Sequence, residues 1–363
     1  MRHGLRKIFV TILYCVGVLV FFEATARGVL SSDAGFRLIA RVQDDTAWRL
    51  RFIRRHSKKN NIYHLTDVYH PIRGWTLQPG LSRVGLWDDK TLHSNSRGLR
   101  GSSEHAYEKP PGALRILTFG DSFTFGEEVS DHETFSYDLE KLLPGGEVIN
   151  FGTHGYGHDQ MLLYLQEEGI KYHPDIVILG FLSMDMERNV ISFRDYAKPR
   201  FVLDGGRLVL TNTPVPRIEE TLAREPSRSK FLDMLTMLRD KYRERFGALE
   251  RKTEMERITA ALLDEIANTI RTAGAVPIFV YLPYFDEITR PEMDMNDGER
   301  FFLSYCHERG IHSIDLHRFF HEKLGHGVAQ TGHWHWGPEG HHTAAEGIRA
   351  YLVEHGFVHG PQG

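Results

Sequence analysis

Short apolar runs alternate with longer amphipathic stretches through the last two thirds of the chain. The runs lie at Leu114–Phe119, Val148–Phe151, Ile176–Leu182, Val276–Leu282 and Ile311–Leu316. Amphipathic stretches such as Gln160–Gly169 and Glu254–Thr272 separate them. Each run has the length of a buried strand, and each amphipathic stretch has the period of a helix. This alternation predicts a parallel sheet that is covered by helices on both faces.

The N-terminus pairs a basic segment with an apolar one. Arg2, Arg6 and Lys7 precede the uncharged stretch Ile8–Phe22, and Glu23 ends it. This pattern is typical of a cleaved signal peptide, for which Ala24-Thr25-Ala26 offers a cleavage site, or of an uncleaved signal anchor. A buried helix of a soluble protein is the third interpretation. The first two predict that residues 1–30 direct export of everything downstream.

Residues 31–112 predict an extension in two parts. Asp33–Lys59 has a helical and increasingly basic sequence, which suits a solvated helix face or contact with anionic lipid or polysaccharide. Frequent proline and glycine over 60–113 predict loops and short strands. The domain that carries the sheet is expected at 113–363.

An insertion at about 189–251 separates the third and fourth predicted strands. It contains a predicted hairpin, Phe201–Leu210, whose turn is rich in glycine, and a charged helix near Lys230–Arg245. Its position after a strand suits a lid or a substrate wall, and structural packing is an equal alternative.

Composition narrows the class of protein. The 363 residues are 41% hydrophobic and 25% charged, which is a globular profile. There are 44 Lys and Arg against 48 Asp and Glu, and this near balance argues against general nucleic-acid binding. With only two cysteines, Cys15 and Cys306, the chain has neither a disulfide framework nor a cysteine-rich zinc signature.

Three motifs point to nucleophilic catalysis. Ser122 follows the first predicted strand directly, at the strand end where open α/β sheets bind ligands. The second strand leads into a glycine-rich turn at Gly152–Gly157, whose backbone N–H groups suit an oxyanion. His335 lies on a loop before a helix that begins at Pro338, and a neutral imidazole there suits a general base.

These residues resemble the SGNH, or GDSL, hydrolase family over about residues 113–356. The segments RILTFGDSFTFGEEVSDHETF and VINFGTHGYGHDQ are similar to exported bacterial members that are associated with surface polysaccharide. The resemblance implies a flavodoxin-like α/β/α fold with a mainly parallel five-stranded sheet. It further implies Ser122 as nucleophile, His335 as base, and the N–H groups of Ser122 and Gly155 as the oxyanion hole.

The resemblance also implies a function and a location. We expect a serine esterase or O-acyltransferase that acts on acyl esters, acetyl above all, of a carbohydrate or another small molecule, with no cofactor and no metal. We further expect the protein to be exported across the bacterial inner membrane. It would then stay anchored and face the periplasm or exterior, or be secreted if the signal is cleaved.

The chain departs from the family pattern at two positions. Met184 stands where the family has an oxyanion-donating Asn, so Asn189 or Ser183 would have to substitute. The family acid two or three residues before the histidine is also missing, because no acidic residue occurs from Leu324 to Pro338. Asp315 is a weak candidate for that third acid, and helix capping is its alternative role.

These departures keep other hypotheses open. As an alternative to an enzyme, a catalytically weakened protein with the SGNH fold would serve as a polysaccharide-binding or assembly component. A zinc site would use the histidines of the last motif, His333, His335, His341 and His342. A lipase-like activity on long acyl chains would use the apolar Phe123 and Phe125. Trp334 and Trp336 suit stacking on a sugar ring or packing within the loop.

Overall fold

A computed structural model describes residues 2–40, 44–58, 65–84, 87, 89–288, 294–324 and 335–358. The chain divides into two compact units. Unit 1 comprises the described residues of Met1–Asn60, Phe193–Ala197 and Pro216–Glu254, and unit 2 comprises those of Asn61–Ser192, Lys198–Val215 and Met255–Gly363.

Helices and strands alternate along much of the chain. The helices are α1 (Arg2–Ser31), α2 (Asp33–Ile39), α3 (Asp45–Lys58), α4 (Ser122–Phe125), α5 (Phe135–Leu142), α6 (His158–Glu167), α7 (Asp185–Arg188), α8 (Ile218–Arg224), α9 (Lys230–Phe246), α10 (Ala248–Thr272), α11 (Phe285–Ile288), α12 (Asp297–Arg309), α13 (Leu316–Leu324) and α14 (Pro338–Glu354). The strands are β1 (Asp67–His70), β2 (Gly74–Leu77), β3 (Ser82–Val84), β4 (Thr91–His93), β5 (Leu114–Phe119), β6 (Gly146–Asn150), β7 (Ile176–Phe181), β8 (Arg200–Asp204), β9 (Arg207–Thr211), β10 (Val276–Tyr281) and β11 (His312–Asp315).

The central sheet of unit 2 has five strands in the order β6-β5-β7-β10-β11. All four neighbouring pairs are parallel. Numbered along the chain, this is the 2-1-3-4-5 order of flavodoxin-like sheets. The predicted fold class is therefore confirmed, and the five predicted strands are the five observed ones.

Successive strand residues point to opposite faces of this sheet, and both faces are buried. On one face Ile116, Ile178 and Val280 belong to a buried cluster with residues of α5, α13 and α14. On the other face Phe119 packs edge-on against Tyr164 of α6, and Phe181 packs against Phe302 of α12. Helices thus flank both faces and leave the carboxyl ends of the strands for the site.

Unit 1 is helical and includes α1, α2, α3, α8 and α9. A small core joins Leu30 and Phe36 to Leu50 of α3 and Met237 of α9. Arg49 is buried and pairs with both Glu225 and Asp233. Among the described helices, α1 is long and apolar enough to cross a membrane over His3–Ser31, and no part of its apolar window is buried.

The two units divide the predicted extension and insertion differently from their sequence boundaries. Residues of the extension up to Asn60 cluster in unit 1, and the later ones cluster in unit 2. Most of the insertion joins unit 1, while its hairpin, β8 and β9, belongs to unit 2. The hairpin forms as predicted, with Gly205 and Gly206 in the turn.

Candidate active site

The candidate nucleophile begins a one-turn helix at the end of the first core strand. After β5 the chain turns at Gly120 and Asp121, and Ser122 is the first residue of α4. Asp121 caps this helix, because its side chain accepts a hydrogen bond of 3.0 Å from the backbone N–H of Phe123. Ser122 is thereby presented at the carboxyl edge of the sheet, where parallel strands bind their ligands.

The structure brings His335 to this serine from 213 residues away. Nε2 of His335 lies 2.9 Å from Oγ of Ser122, which is hydrogen-bond distance. The imidazole packs on Phe123, and Phe123 in turn packs edge-on against Trp336. Trp336 is buried and donates from Nε1 to the carbonyl of Pro283 at 3.0 Å. These contacts fix the base in a geometry that suits proton transfer.

A glutamate fills the place of the acid that the sequence lacks before His335. Oε1 of Glu128 lies 3.2 Å from Nδ1 of His335, while Glu127 approaches Nε2 only to 3.6 Å. Burial lowers the pKa of His335, but the hydrogen bond with Glu128 and the charges of Glu127, Glu128 and Asp121 outweigh it. The pKa of His335 therefore lies above its ordinary value, as expected for a base that an anion stabilises when protonated.

The turn after β6 carries Gly155, the second oxyanion donor that the motif predicts. Gly155 has a φ of +71°, in the left-handed region that favours glycine. Among the hydrogen bonds of the described residues, none uses the backbone N–H of Ser122 or Gly155. Gly152 lies so close to α4 that an added Cβ would stand 2.2 Å from the backbone nitrogen of Phe125. Glycine at this position thus permits the close approach of the two loops.

Arg188 ties the nucleophile turn to the oxyanion turn. Its Nη1 donates to Oδ2 of Asp121 at 3.0 Å and to the carbonyl of Tyr156 at 2.9 Å. The same nitrogen lies 2.5 Å from the carboxylate of Asp185. Burial and the nearby charge of Asp121 raise the pKa of Asp185 well above its ordinary value. The guanidinium thus pairs with both Asp121 and Asp185 next to the turn that carries Ser122.

The extension holds the oxyanion turn from the other side. Trp75 on β2 donates from Nε1 to the carbonyl of His154 at 3.1 Å. The hydroxyl of Tyr156 donates back to the carbonyl of Trp75. Nε2 of His154 lies 2.8 Å from Asp67 on β1. The β1–β2 hairpin therefore fixes the backbone on both sides of Gly155.

A second part of the extension holds the loop that carries Glu128. His93 on β4 lies 2.5 Å from the carboxylate of Asp131, and Lys90 pairs with Glu133 at 3.0 Å. Arg100 is buried, donates to the carbonyl of Val129 at 2.8 Å and pairs with Asp131 at 3.1 Å. The predicted loop region is thus a support for the site rather than a passive connection.

Two candidates named from the sequence take other contacts. Asn189 is buried, and its Nδ2 lies 3.1 Å from Nδ1 of His158 and 2.9 Å from Oγ1 of Thr259. Its amide hydrogens are therefore committed, and Asn189 does not serve as an oxyanion donor here. Asp315 accepts from the backbone N–H of His317 and caps α13, so the structure brings Glu128 rather than Asp315 to His335.

Ser183 and Met184, at and next to the position of the family Asn, also have defined surroundings. Ser183 shares its hydroxyl with Tyr281 at 2.9 Å and with Asn296 at 3.1 Å. Met184, at the position of the family Asn, is 37% exposed. Of the polar residues that follow it, Arg188 donates to Asp121, and Asp185 accepts from Arg188.

The histidines proposed as zinc ligands have different partners. His341 is buried and accepts through Nδ1 from the N–H of Phe135, and burial lowers its pKa to about 3. His342 is exposed and lies 3.1 Å from Asp138. His333 and Trp334 fall outside the described residues. Phe123 and Phe125 are both buried, so neither presents an open surface to an acyl chain.

Glu128 is the residue that sequence reasoning missed. It stands six positions after Ser122, whereas the family acid precedes the histidine. A signal was present, because Gly126 is followed by two adjacent acidic residues in the nucleophile block. Only the turn geometry decides which of the two faces His335, and Glu128 has a φ of +70°, which is uncommon for a residue with a side chain.

The chain is similar to several solved structures at low sequence identity. No family model matches the chain, and no curated protein sequence matches it. A protein described as lipolytic and of the G-D-S-L family, from Desulfitobacterium hafniense, is 14% identical with a TM-score of 0.41, over 66% of this chain and 99% of that one. An esterase from Pseudoalteromonas sp. is 12% identical with a TM-score of 0.39, over 66% and 97%.

A third solved structure is a two-domain esterase active on acetylated mannans. It is 12% identical with a TM-score of 0.39, over 67% of this chain and 49% of that one. The sheet order of unit 2 is by itself that of a flavodoxin-like α/β/α fold.

Proposed function

We propose that this protein is a serine esterase or O-acyltransferase that uses Ser122, His335 and Glu128. The observation that supports the proposal is the continuous series of contacts from Oγ of Ser122 through the imidazole to the carboxylate of Glu128. Nucleophile, base and orienting acid in this order form the arrangement by which unrelated hydrolases activate a serine.

In the proposed reaction, Oγ of Ser122 attacks the carbonyl carbon of an ester while Nε2 of His335 takes its proton. Glu128 stabilises the imidazolium that forms. The N–H groups of Ser122 and Gly155 bind the negative oxygen of the tetrahedral intermediate. His335 then returns the proton to the leaving alcohol as the C–O bond breaks, and the acyl group remains on Ser122.

The acyl-enzyme is resolved by water in an esterase or by a second hydroxyl in a transferase. The incoming oxygen loses its proton to His335 in either case, so one site accommodates both reactions. Acetyl esters of a cell-surface polysaccharide are the proposed substrates, because the sequence motifs resemble those of exported bacterial members associated with such polymers.

We also propose that α1 is a retained membrane anchor, with unit 2 on the periplasmic or outer side. The helix continues without a break through Ala24-Thr25-Ala26, the predicted cleavage site. Ala26 is fully buried. Glu23 accepts hydrogen bonds from the N–H groups of Lys230 and Phe231 at 3.0 Å, so α1 caps the first turn of α9. A segment with these structural contacts is suited to remain in the mature protein.

The test is labelling of the full chain, purified in a mild detergent, with a fluorophosphonate probe for activated serines. Ser122→Ala and His335→Ala should each abolish labelling. Ser96→Ala is the matched control, because Ser96 is exposed and bonds Glu104 away from the site. It should label like the unsubstituted protein.

Acetylated sugars, with and without a second sugar as acceptor, then distinguish hydrolysis from transfer. A folded protein that does not label would overturn the esterase proposal. The favoured hypothesis would then be a catalytically weakened protein that binds polysaccharide or takes part in its assembly. In that case Ser122→Ala would leave the cellular phenotype intact.

A further inference from the structure

Unit 1 contains an open cavity of about 540 Å³ that is unusually rich in arginine. Its wall includes Arg37 of α2 and Arg51, Arg54 and Arg55 of α3, and Asp33 is the one acidic residue among its described wall residues. We call it the arginine cavity. None of these residues belongs to the candidate active site, so their function requires a separate account.

The charges of this cavity are only partly balanced. Arg54 pairs with Asp33, and Arg55 pairs with Asp195 at 2.9 Å. Among the described residues, no carboxylate lies within salt-bridge distance of Arg37 or Arg51. The cavity therefore carries an excess of positive charge that suits an anion.

Arg51 makes its direct contacts with neutral groups, and the charges of Asp44 and Asp195 act on it from a greater distance. Its Nη2 donates to the carbonyl of Ala40 at 3.0 Å, and its guanidinium stacks 4.7 Å from the centre of the Trp48 ring. Burial lowers the pKa of this guanidinium. A nearby phosphate would oppose that effect, and the planar guanidinium matches phosphate oxygens in geometry.

A second cavity of about 480 Å³ shares Arg54 with the first. Its wall surface is largely apolar, through Leu30, Leu50, Ile53, Leu222 and Pro226, and it also includes the charged Arg27, Glu225 and Lys230. The arginine cavity suits the anionic headgroup of an amphiphile, and the second cavity suits its apolar tail. The two cavities share Arg54.

The position of these cavities along α1 favours a lipid over a free anion. The apolar stretch Ile8–Phe22 is about 22 Å long at the rise of an α-helix, whereas the hydrocarbon core of a bilayer is about 30 Å thick. A bilayer accommodates a short apolar stretch by local thinning, so Glu23 and the turn of α9 that it caps lie outside the core. Leu30 then lies near the lipid headgroups, and α2 with Arg37 follows directly above them.

We propose that unit 1 binds an anionic phospholipid of the membrane, with its phosphate in the arginine cavity and an acyl chain in the apolar one. The proposal rests on α1 spanning the membrane, which is part of the proposed function, and it is independent of the chemistry at Ser122. Such a site would fix the orientation of unit 1 at the membrane surface.

The experiment is native mass spectrometry of the full chain in a neutral detergent, with dioleoylphosphatidylglycerol or dioleoylphosphatidylcholine added. We expect the anionic lipid to be retained about ten-fold more strongly, in keeping with charge-assisted contacts to phosphate. Arg37→Gln with Arg51→Gln should remove this preference. Arg37→Glu is a second variant with little risk to folding, because Arg37 is exposed. Arg239→Gln, an exposed arginine of α9 paired with Asp240, is the matched control and should change nothing.

Equal retention of both lipids, or a preference that persists in the double variant and in Arg37→Glu, would overturn the proposal. Complete displacement of the anionic lipid by inorganic phosphate would assign the site to a free anion and overturn the lipid. Fluorophosphonate labelling of the same samples keeps the two proposals separate. Labelling lost in every sample with lipid preference intact would refute the esterase alone.

Discussion

Oε1 of Glu128 lies 3.2 Å from Nδ1 of His335, across 207 residues of sequence. The backbone of Glu128 adopts a φ of +70° in this arrangement. A left-handed conformation costs a residue with a Cβ roughly 1–2 kcal/mol. Such strain persists where the surroundings impose it, and it concentrates at functional sites. The support of this loop by β4 and Arg100 is therefore consistent with a functional carboxylate.

Replacing Glu128 by Gln should slow acylation by a factor on the order of 10⁴, as loss of the orienting acid does in serine hydrolase triads. The amide keeps the size of the side chain but removes the charge that stabilises the imidazolium. The rate of fluorophosphonate labelling measures the effect. Glu127→Gln is the matched control and should cost less than about ten-fold, because at 3.6 Å Glu127 lies beyond hydrogen-bond distance of Nε2. Equal losses in the two variants would contradict the assignment.

The pH dependence of activity should reflect the raised pKa of His335. The base acts only when neutral, so kcat/KM should rise with pH through a midpoint above 6.5, the ordinary value for histidine. Removing the negative charge with Glu128→Gln should lower the pKa of His335 and move that midpoint to lower pH. Initial rates on p-nitrophenyl acetate across about pH 5 to 9 provide the profile around that midpoint. A midpoint that does not move in the variant would show that Glu128 does not govern the imidazole.

Gly155→Ala should damage catalysis far more than stability. A Cβ at a φ of +71° strains the turn by roughly 1–2 kcal/mol. A displaced oxyanion donor costs a factor of about 10²–10³ in kcat. Gly274→Ala supplies the comparison, because Gly274 has a φ of +82° in open space between α10 and β10. Thermal midpoints should fall similarly in both variants, and kcat should fall only in the first. Similar kcat in the two would remove Gly155 from the oxyanion hole.

Acid should destabilise the protein through its buried histidines. Burial lowers the pKa of both His158 and His341 to about 3. Between about pH 6.5 and 3 the unfolded chain binds the proton and the folded chain does not, so stability falls as the pH falls. The slope is about 1.4 kcal/mol per pH unit for each such proton.

His341→Asn should therefore weaken the acid sensitivity, even if it lowers stability at neutral pH. Thermal midpoints at about pH 7, 5.5 and 4.5 measure the slope. His342→Asn, the exposed neighbour on α14, should retain the full slope. An unchanged slope in His341→Asn would argue that His341 takes up a proton without unfolding.

The mature protein should retain its first residues. Intact mass measurement of the protein from the membrane fraction should give the chain with α1 present, because Ala26 is buried and Glu23 caps α9. Glu23→Gln should lower the thermal midpoint of unit 1, since loss of a helix cap costs about 1 kcal/mol. A mature N-terminus at Arg27 would show that the signal is cleaved.

The parts of the fold and of the site that could be predicted are those with a signal in the local sequence. Apolar runs mark the five strands, and glycine directly after the first two runs marks the turns that carry Ser122 and Gly155. The two adjacent glutamates after Gly126 signal an acid near Ser122, but the choice of Glu128 depends on a left-handed turn and on the fold that brings His335 to it. The sequence likewise did not indicate that β1 and β2 support the oxyanion turn, since Trp75 and His154 are 79 residues apart.

The contact between Glu23 and the first turn of α9 has a consequence for the order of synthesis. Glu23 and Lys230 are separated by 207 residues, and unit 1 extends to Glu254. Helix α1 therefore waits for residues up to Glu254 before its own unit can close. Unit 1, although it begins first, is completed only after the core strands β5, β6 and β7 of unit 2 have been made, and before β10 and β11. Synthesis of the two units is therefore interleaved along the chain.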